Sequence, residues 1–262
     1  MATKPKAGTA VATPKMQLPA NVAEVRAQRI AAMKQQFAAP VAKGIKCEGK
    51  EFKFPNADET VTSFKAVIVR FVNYNAFYEN PWKEGVNAPP NCFALGELPH
   101  EKLEASPNSP APEHEKGAPA CKGCWANEFG SADNGKGKRC SNTIKLALLC
   151  SDGEMRVLSL SATAITDFKK YSDFVVKAFN TDVAGVLTEF TFDDKVKWGS
   201  VRCGNPIRLN EDQDALAMSL YDEAGEMLLR EPDVSEFEEK VVALRAKKPA
   251  GKGKAISRGA RA

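Results

Sequence analysis

Four cysteines placed around a long, proline-rich loop constrain the fold of this chain more than any other feature. Cys121 and Cys124 form a CxxC pair, Cys140 follows after a glycine-rich stretch, and Cys92 lies on the other side of the loop. Residues 98–120 contain five prolines, so neither a helix nor a strand is expected there. A loop of this length within a folded domain is usually functional or tied down. We therefore expect the cysteines to tether it.

The residue type and spacing of these cysteines predict a structural zinc ion. Four thiolates in tetrahedral arrangement form the closed type of zinc site, and a metal bound between Cys92 and Cys140 would remove much of the loop's freedom. His100 or His114 is the alternative to Cys92 as the fourth ligand. Three other interpretations stay open: a redox pair at the CxxC, an iron site and four ordinary buried cysteines.

The periodicity of the apolar residues predicts a mainly β domain with few helices. Strands are predicted at 64–74, 91–95, 144–150, 155–160, 186–193 and 196–209, the last broken at Gly204-Asn205-Pro206. Helices are predicted at 21–37, 166–179, 210–229 and 235–246, with Thr166 capping the second. Ser151-Asp152-Gly153-Glu154 predicts a tight hairpin turn, because Asp-Gly readily adopts the positive φ angles that such a turn needs.

This order of elements predicts an α+β fold with a mainly β core. Five or so strands with a helix before the final strands suit an OB-like Greek-key barrel, here with an inserted zinc loop and peripheral helices. A generic antiparallel α+β domain fits almost as well.

Charge divides the chain into three parts. Residues 1–40 carry +5 and residues 245–262 carry +7, which leaves −8 for the middle of a chain whose net charge is +4. We expect a basic flexible N-terminal arm with one helix at 1–40, an OB-like domain at 41–244 with its zinc loop at 92–140, and a basic disordered tail at 245–262. Such arms favour polyanions through counterion release; the alternative is that they only keep the protein in solution.

Three clusters combine aromatic rings with cations, as the binding of single-stranded nucleic acid requires. They are Tyr74, Phe77, Tyr78 and Trp82 with Lys83; Trp125 and Phe129 with Lys122, Lys136, Lys138 and Arg139; and Trp198 with Lys195, Lys197, Arg202 and Arg208. For the first cluster the alternative is that two of its rings anchor the loop. No helix shows a face suited to the major groove, so single strands are the favoured partner.

Enzyme motifs are missing from the sequence. It contains no GxxxxGK[ST], HExxH or GxSxG and only two histidines, so we expect no catalytic activity. A metal-dependent nuclease built from scattered carboxylates is the remaining enzymatic alternative. No apolar run is long enough to span a membrane and the N-terminus lacks the apolar region of a signal peptide, so a cytoplasmic protein without membrane partners is expected.

Three segments around the cysteines resemble a known family. They are Pro90-Asn91-Cys92-Phe93-Ala94-Leu95-Gly96, the stretch from Cys121 to Ala132, and Gly135-Lys136-Gly137-Lys138-Arg139-Cys140. Together they are similar to zinc-containing bacteriophage single-stranded DNA-binding replication proteins, over roughly residues 60–230. Such proteins commonly end in an acidic tail, whereas this chain ends with basic residues.

The resemblance implies an OB-type barrel interrupted by a zinc loop, with the four cysteines as ligands. It also implies a role in phage DNA replication or recombination in the host cytoplasm. Single-stranded DNA is the implied partner, with RNA as the alternative polymer and replication or recombination proteins as further partners. The alternative function is that of a zinc-containing structural or virion-associated interaction protein whose basic arms contact nucleic acid only incidentally.

Overall fold

The computed structural model describes residues 44–55, 57–79, 89–110 and 120–234. The helices predicted at 21–37 and 235–246 lie outside these ranges, as do both basic arms, Trp82, Lys83 and His114. Within them, no helix combines the length and the apolar character that crossing a membrane would require.

The described residues form a mixed α+β structure built on one strongly curled, half-barrel sheet of nine strands. The strands are β1 Gly44–Glu48, β2 Glu51–Lys53, β3 Thr60–Val61, β4 Phe64–Phe77, β5 Cys92–Gly96, β6 Ser141–Cys150, β7 Met155–Leu160, β8 Val186–Phe192 and β9 Val201–Arg208. The helices are α1 Ala162–Phe179, α2 Glu211–Ser219 and α3 Tyr221–Leu228. The strand order is β3-β2-β1-β7-β6-β4-β8-β9, with β5 paired to β4. The predicted α+β class with a mainly β core is confirmed.

Strand β4 organises the sheet because it has three partners. Its first residues pair with β8, most of its length pairs with β6, and its last residues pair with β5, where Phe77 lies opposite Cys92. The register with β6 shifts between Ile68 and Arg70, a β-bulge that bends the strand. One continuous strand therefore reaches from the main core to the cysteine loop.

The predicted hairpin and the helix after it are both present. Strands β6 and β7 pair across the turn at Gly153, whose φ of +78° suits glycine. Helix α1 begins after Ser161, not at the predicted cap Thr166. The reason is that Ala164 lies one turn before Phe168 on the same buried face, so packing extends the helix towards its N-terminus.

Two further predictions differ from the structure at its C-terminal side. Strand β9 continues through Gly204-Asn205-Pro206, because β9 pairs only with β8 and an edge strand tolerates a bulge and a proline. The helix predicted at 210–229 is two helices separated at Leu220, the first of them capped by Asn210 with Gln213 in a capping box.

Three apolar clusters hold the described residues together. The largest lies between the sheet and α1 and includes Ile68, Leu146 and Phe168. A second lies on the other face of the sheet, where Ala224 and Leu228 of α3 cover residues of β4, β6 and β7. The third, at the far end of β4, contains only three buried residues, which are Phe77, Ala126 and Cys140.

Candidate cysteine cluster and nucleic-acid interface

The four predicted zinc ligands meet at the far end of β4. Cys92 begins β5 opposite Phe77, Cys140 directly precedes β6, and Cys121 and Cys124 lie on the loop between these strands. Cys140 is buried, and Cys92 and Cys124 pack against it and Phe77. The fold therefore brings together cysteines that are far apart in the sequence.

Backbone hydrogen bonds place these cysteines. The amide of Cys121 donates to the carbonyl of Leu103 at 2.9 Å, and the amide of Cys140 donates to the carbonyl of Ala126 at 2.7 Å. Cys124 precedes the short 3-10 turn at Trp125–Asn127, and its carbonyl accepts from the amide of Asn127 at 2.9 Å. All the cysteines of the described residues are free thiols, so no disulfide contributes to this arrangement.

The thiols influence one another electrostatically. Burial, together with the neighbouring thiols of Cys121, Cys92 and Cys124, raises the pKa of Cys140 to about 12. Burial also raises the pKa of Cys121, and a hydrogen bond with Asn75 partly opposes that shift. Within the described ranges, no three His, Cys, Asp or Glu side chains are grouped so that they could hold a metal ion as they stand. The cysteines thus converge without being arranged as ligands, and the zinc site stays a prediction.

A buried polar network, which no sequence motif indicates, supports the cluster. Asn75, 1% exposed, donates from Nδ2 to the carbonyl of His100 at 2.8 Å. Its Oδ1 accepts from Nδ2 of Asn142 at 2.6 Å and lies 2.7 Å from Nδ1 of His100. Asn75 also bonds the Cys121 thiol. In the described part of the chain, the buried Nε2 of His100 has no hydrogen-bond partner.

The first predicted aromatic cluster is divided between two environments. The ring of Phe77 is 5% exposed and packs edge-on against Trp125, with ring centres 5.8 Å apart. The ring of Phe77 therefore lies inside the cysteine cluster, the position expected of a ring that anchors the loop. Tyr74 is half-buried beneath the ammonium of Lys145, and Tyr78 is 38% exposed.

The second predicted cluster lies on the surface of the cysteine loop. We call Lys122, Trp125, Phe129, Lys136 and Lys138 the loop surface. Trp125 is 42% exposed and Phe129 is 82% exposed, and all three lysines are exposed. Nζ of Lys138 donates to Oδ1 of Asn127 at 3.1 Å.

Arg139, which was predicted with this cluster, makes contacts within the loop and with the chain just after β4. Its guanidinium pairs with Asp133 at 2.9 Å and donates to the carbonyl of Glu79 at 2.6 Å. It thereby links the loop to the end of β4, and its charge is partly neutralised by its own chain.

The third cluster keeps its aromatic residue and its exposed lysines, Lys195 and Lys197, while its two arginines have partners within the chain. Trp198, between β8 and β9, is 57% exposed. Arg202 forms ion pairs with both Asp167 and Asp193, and these carboxylates raise its pKa. Arg208 donates to the carbonyl of Phe179 at 2.5 Å. Neither arginine is a ready phosphate contact while it holds these partners.

Comparisons with protein-family models, with curated proteins and with solved structures found no match. The geometry and chemistry of the described residues are therefore the basis for inferring a function.

Proposed function

We propose that this protein is a non-enzymatic binder of single-stranded DNA whose contact region is the loop surface. The observation that carries the proposal is the display of two aromatic rings, Trp125 and Phe129, among three exposed lysines on one loop. Aromatic faces on which bases stack, next to cations that follow the backbone, are what sequence-tolerant binding of single strands requires.

Folding alone does not account for the exposure of these rings. Single exposed apolar residues are common on protein surfaces, but Phe129 leaves 82% of its surface in water on the same loop as a second exposed ring. Lys122 and Lys136 lie on the same loop, and neither takes part in the ion pairs found among the described residues. Phe129, Lys122 and Lys136 are thus exposed where an incoming strand could reach them.

The connectivity of the sheet supports the same proposal. In chain order β4, β6, β7, β8 and β9 count as strands one to five, and α1 lies between strands three and four. This order agrees with an OB-like Greek-key barrel, in which the loops after strands one and four contact oligonucleotides. Trp125 and Phe129 lie on the first of these loops, and Trp198 lies on the second.

Helix α3 determines where on the sheet a strand could bind. It covers the middle of one sheet face, where Val72, Ala147 and Leu228 are fully or almost fully buried. Uncovering that apolar surface would cost a large part of the stability of a small domain. We therefore place nucleic acid at the loops and at the end of the sheet beside them, and not across the part of the sheet that α3 covers.

A structural zinc ion is part of the proposal. Cys92, Cys121, Cys124 and Cys140 would hold it, and the support is the convergence of three thiols on the buried sulfur of Cys140. Changes of side-chain torsion angles would have to complete the coordination. Zinc would stabilise the loop through thiolate bonds, and its binding would release the thiol protons. The proposed location is the cytoplasm, with replication or recombination proteins as further partners.

Fluorescence anisotropy with labelled oligo-dT, compared with a duplex of equal length, tests the proposal. We expect tighter binding of oligo-dT and a loss of affinity as salt rises. Phe129→Ala should weaken binding by about 1–3 kcal/mol for a lost stacked base. The matched control is Phe174→Ala, which removes a 52% exposed ring from α1. Equal effects of the two variants, or equal affinity for duplex, would contradict the proposal.

A further inference from the structure

One lysine of the sheet has no acidic partner among the residues that the structure describes. Lys145 is an interior residue of β6, opposite Val72 of β4 and Ser159 of β7. It is half-buried, and its Nζ lies 3.9 Å from the centre of the Tyr74 ring. The carboxylates that form ion pairs in the described ranges bind other cations.

Packing gives no reason for a charge at this position. The neighbouring Val72 is fully buried and apolar, and an apolar residue at position 145 would continue that surface. Removing an ammonium group from water is costly unless an opposite charge compensates it, and burial lowers the pKa of Lys145. The π face of Tyr74 compensates in part, and an anion would do so fully.

A second tyrosine, Tyr78, lies between the Lys145–Tyr74 contact and the loop surface along the chain. Tyr78 is 38% exposed, and its hydroxyl shares a hydrogen bond with that of Tyr74. The residue before it, Phe77, packs against Trp125 of the loop surface. The carbonyl after it, that of Glu79, accepts the hydrogen bond from Arg139. Tyr78 therefore lies in the chain between two residues that contact the cysteine loop.

We infer that Lys145, Tyr74 and Tyr78 form a second contact for the same nucleic-acid strand, in which Lys145 pairs with a backbone phosphate and Tyr78 stacks on a base. This inference rests on the proposed function and adds a sheet contact to the loop surface. A single strand is the occupant we select because the position offers one cation and one exposed ring together. An acidic peptide would use the cation and leave the ring in water.

Lys145→Met tests the phosphate contact, because it keeps the apolar stem and removes the charge. The protein should fold with unchanged or higher thermal stability. The slope of log affinity for oligo-dT against log salt should become shallower by about 0.7, as expected when one phosphate contact is lost. Lys177→Met, an exposed lysine in the last turn of α1, is the control and should leave the slope unchanged.

Tyr78 variants test the stacking contact. Tyr78→Ala should weaken oligo-dT binding about 5- to 150-fold, the loss that removal of one stacked base typically causes. Tyr78→Phe should keep nearly full affinity, because the ring remains and only the hydroxyl is lost. Ultraviolet crosslinking of a bromodeoxyuridine oligonucleotide, mapped by mass spectrometry, should place a crosslink at Tyr78.

The outcomes separate this inference from the proposed function. If the wild-type protein binds no oligo-dT, both fail. If Phe129→Ala weakens binding while Lys145→Met leaves the salt slope and affinity unchanged and no crosslink maps to Tyr78, only the sheet contact is overturned. If polyglutamate displaces the wild-type protein from oligo-dT but loses this ability with Lys145→Met, the position is a site for an acidic protein segment and the inference is wrong.

Discussion

The two ends of β4 are held by different forces. Near its start, Ala66 and Ile68 belong to a core of nineteen buried residues beneath α1, whereas the cluster around Phe77 at its far end has three. The first end is stabilised by apolar surface removed from water. The second has too little apolar surface for that and depends on hydrogen bonds and thiols. Strand β4 therefore joins a region stabilised by hydrophobic burial to one stabilised mainly by polar contacts.

Loss of a cysteine should give the largest effect, confined to the second region. We expect about one zinc ion per purified chain, and Cys124→Ser should abolish metal binding, because structural zinc sites contribute on the order of 10 kcal/mol to the regions they fold. Hydrogen exchange of residues 120–140 should become faster while α1 stays protected. Cys47→Ser, outside the cluster, is the control. A wild-type protein without metal and with a protected loop would rule out the zinc.

Truncating a core ring tests the first region. Phe190 is fully buried and stacks on Phe64 with ring centres 4.9 Å apart. Phe190→Ala should lower the free energy of unfolding by about 3–5 kcal/mol through lost burial and the cavity left behind. Urea denaturation followed by circular dichroism measures this. A cost below about 1 kcal/mol would show that the core under α1 is not the main source of stability.

Breaking the polar network should have an intermediate effect. Asn75→Ala would leave the carbonyl of His100 and the amide of Asn142 without this partner, and each buried unsatisfied group costs about 1–3 kcal/mol. The matched control, Asn73→Ala, removes one hydrogen bond to the carbonyl of Leu98 at a less buried position of the same strand. Chemical denaturation of both variants measures the free energy of unfolding that each one loses. Equal losses of stability would mean that the network adds nothing to the cysteine end.

The smallest effect is expected at the turn between β6 and β7. The Arg156 guanidinium holds the pKa of Asp152 at about 2, against an ordinary value of 3.8. The contribution of this ion pair to stability is therefore full above pH 3.8 and declines as pH falls towards 2. Because Asp152 is 53% exposed, we expect less than about 1 kcal/mol.

The free energies of unfolding of Asp152→Asn and of the wild type, measured between pH 2 and 6, test the contribution of that ion pair to stability. The wild type should be more stable at pH 5, and the two stabilities should converge towards pH 2. A difference that is constant over this range would exclude the ion pair as its cause.

The predictability of each strand from the sequence depended on its length and on how many of its residues are buried. Alternating β-branched and aromatic residues predicted β4, β6, β7 and β8, because burial of one face dictates that pattern. Strands β1, β2 and β3 were missed, since each is short and mostly polar, and only Ile45 and Phe52 among their residues are buried. Their pairing depends on a sheet formed by distant segments, which no local pattern reports.

The candidate site was predictable in its residue types and not in its packing. Cysteine spacing identified the four residues that converge, and composition identified Trp125 and Phe129. The alternative that two rings of the first cluster anchor the loop allowed for the burial of Phe77. The network of Asn75 could not be foreseen, because an asparagine at the end of a strand can face either side. Lys145 gave no signal either, since a single lysine in an apolar strand ordinarily indicates a solvent-exposed position.

The pairing of β4 with β6 has a consequence for synthesis of the chain. Ala66 pairs with Cys150, so the ribosome must add the whole cysteine loop before the main partner of β4 exists. At about 5–20 residues per second, the longest strand waits several seconds with its Val67-Ile68-Val69 stretch unpaired. Early chains are thus exposed to edge-to-edge association during translation. Slower elongation through residues 78–140 would lengthen that interval and lower the yield of folded protein.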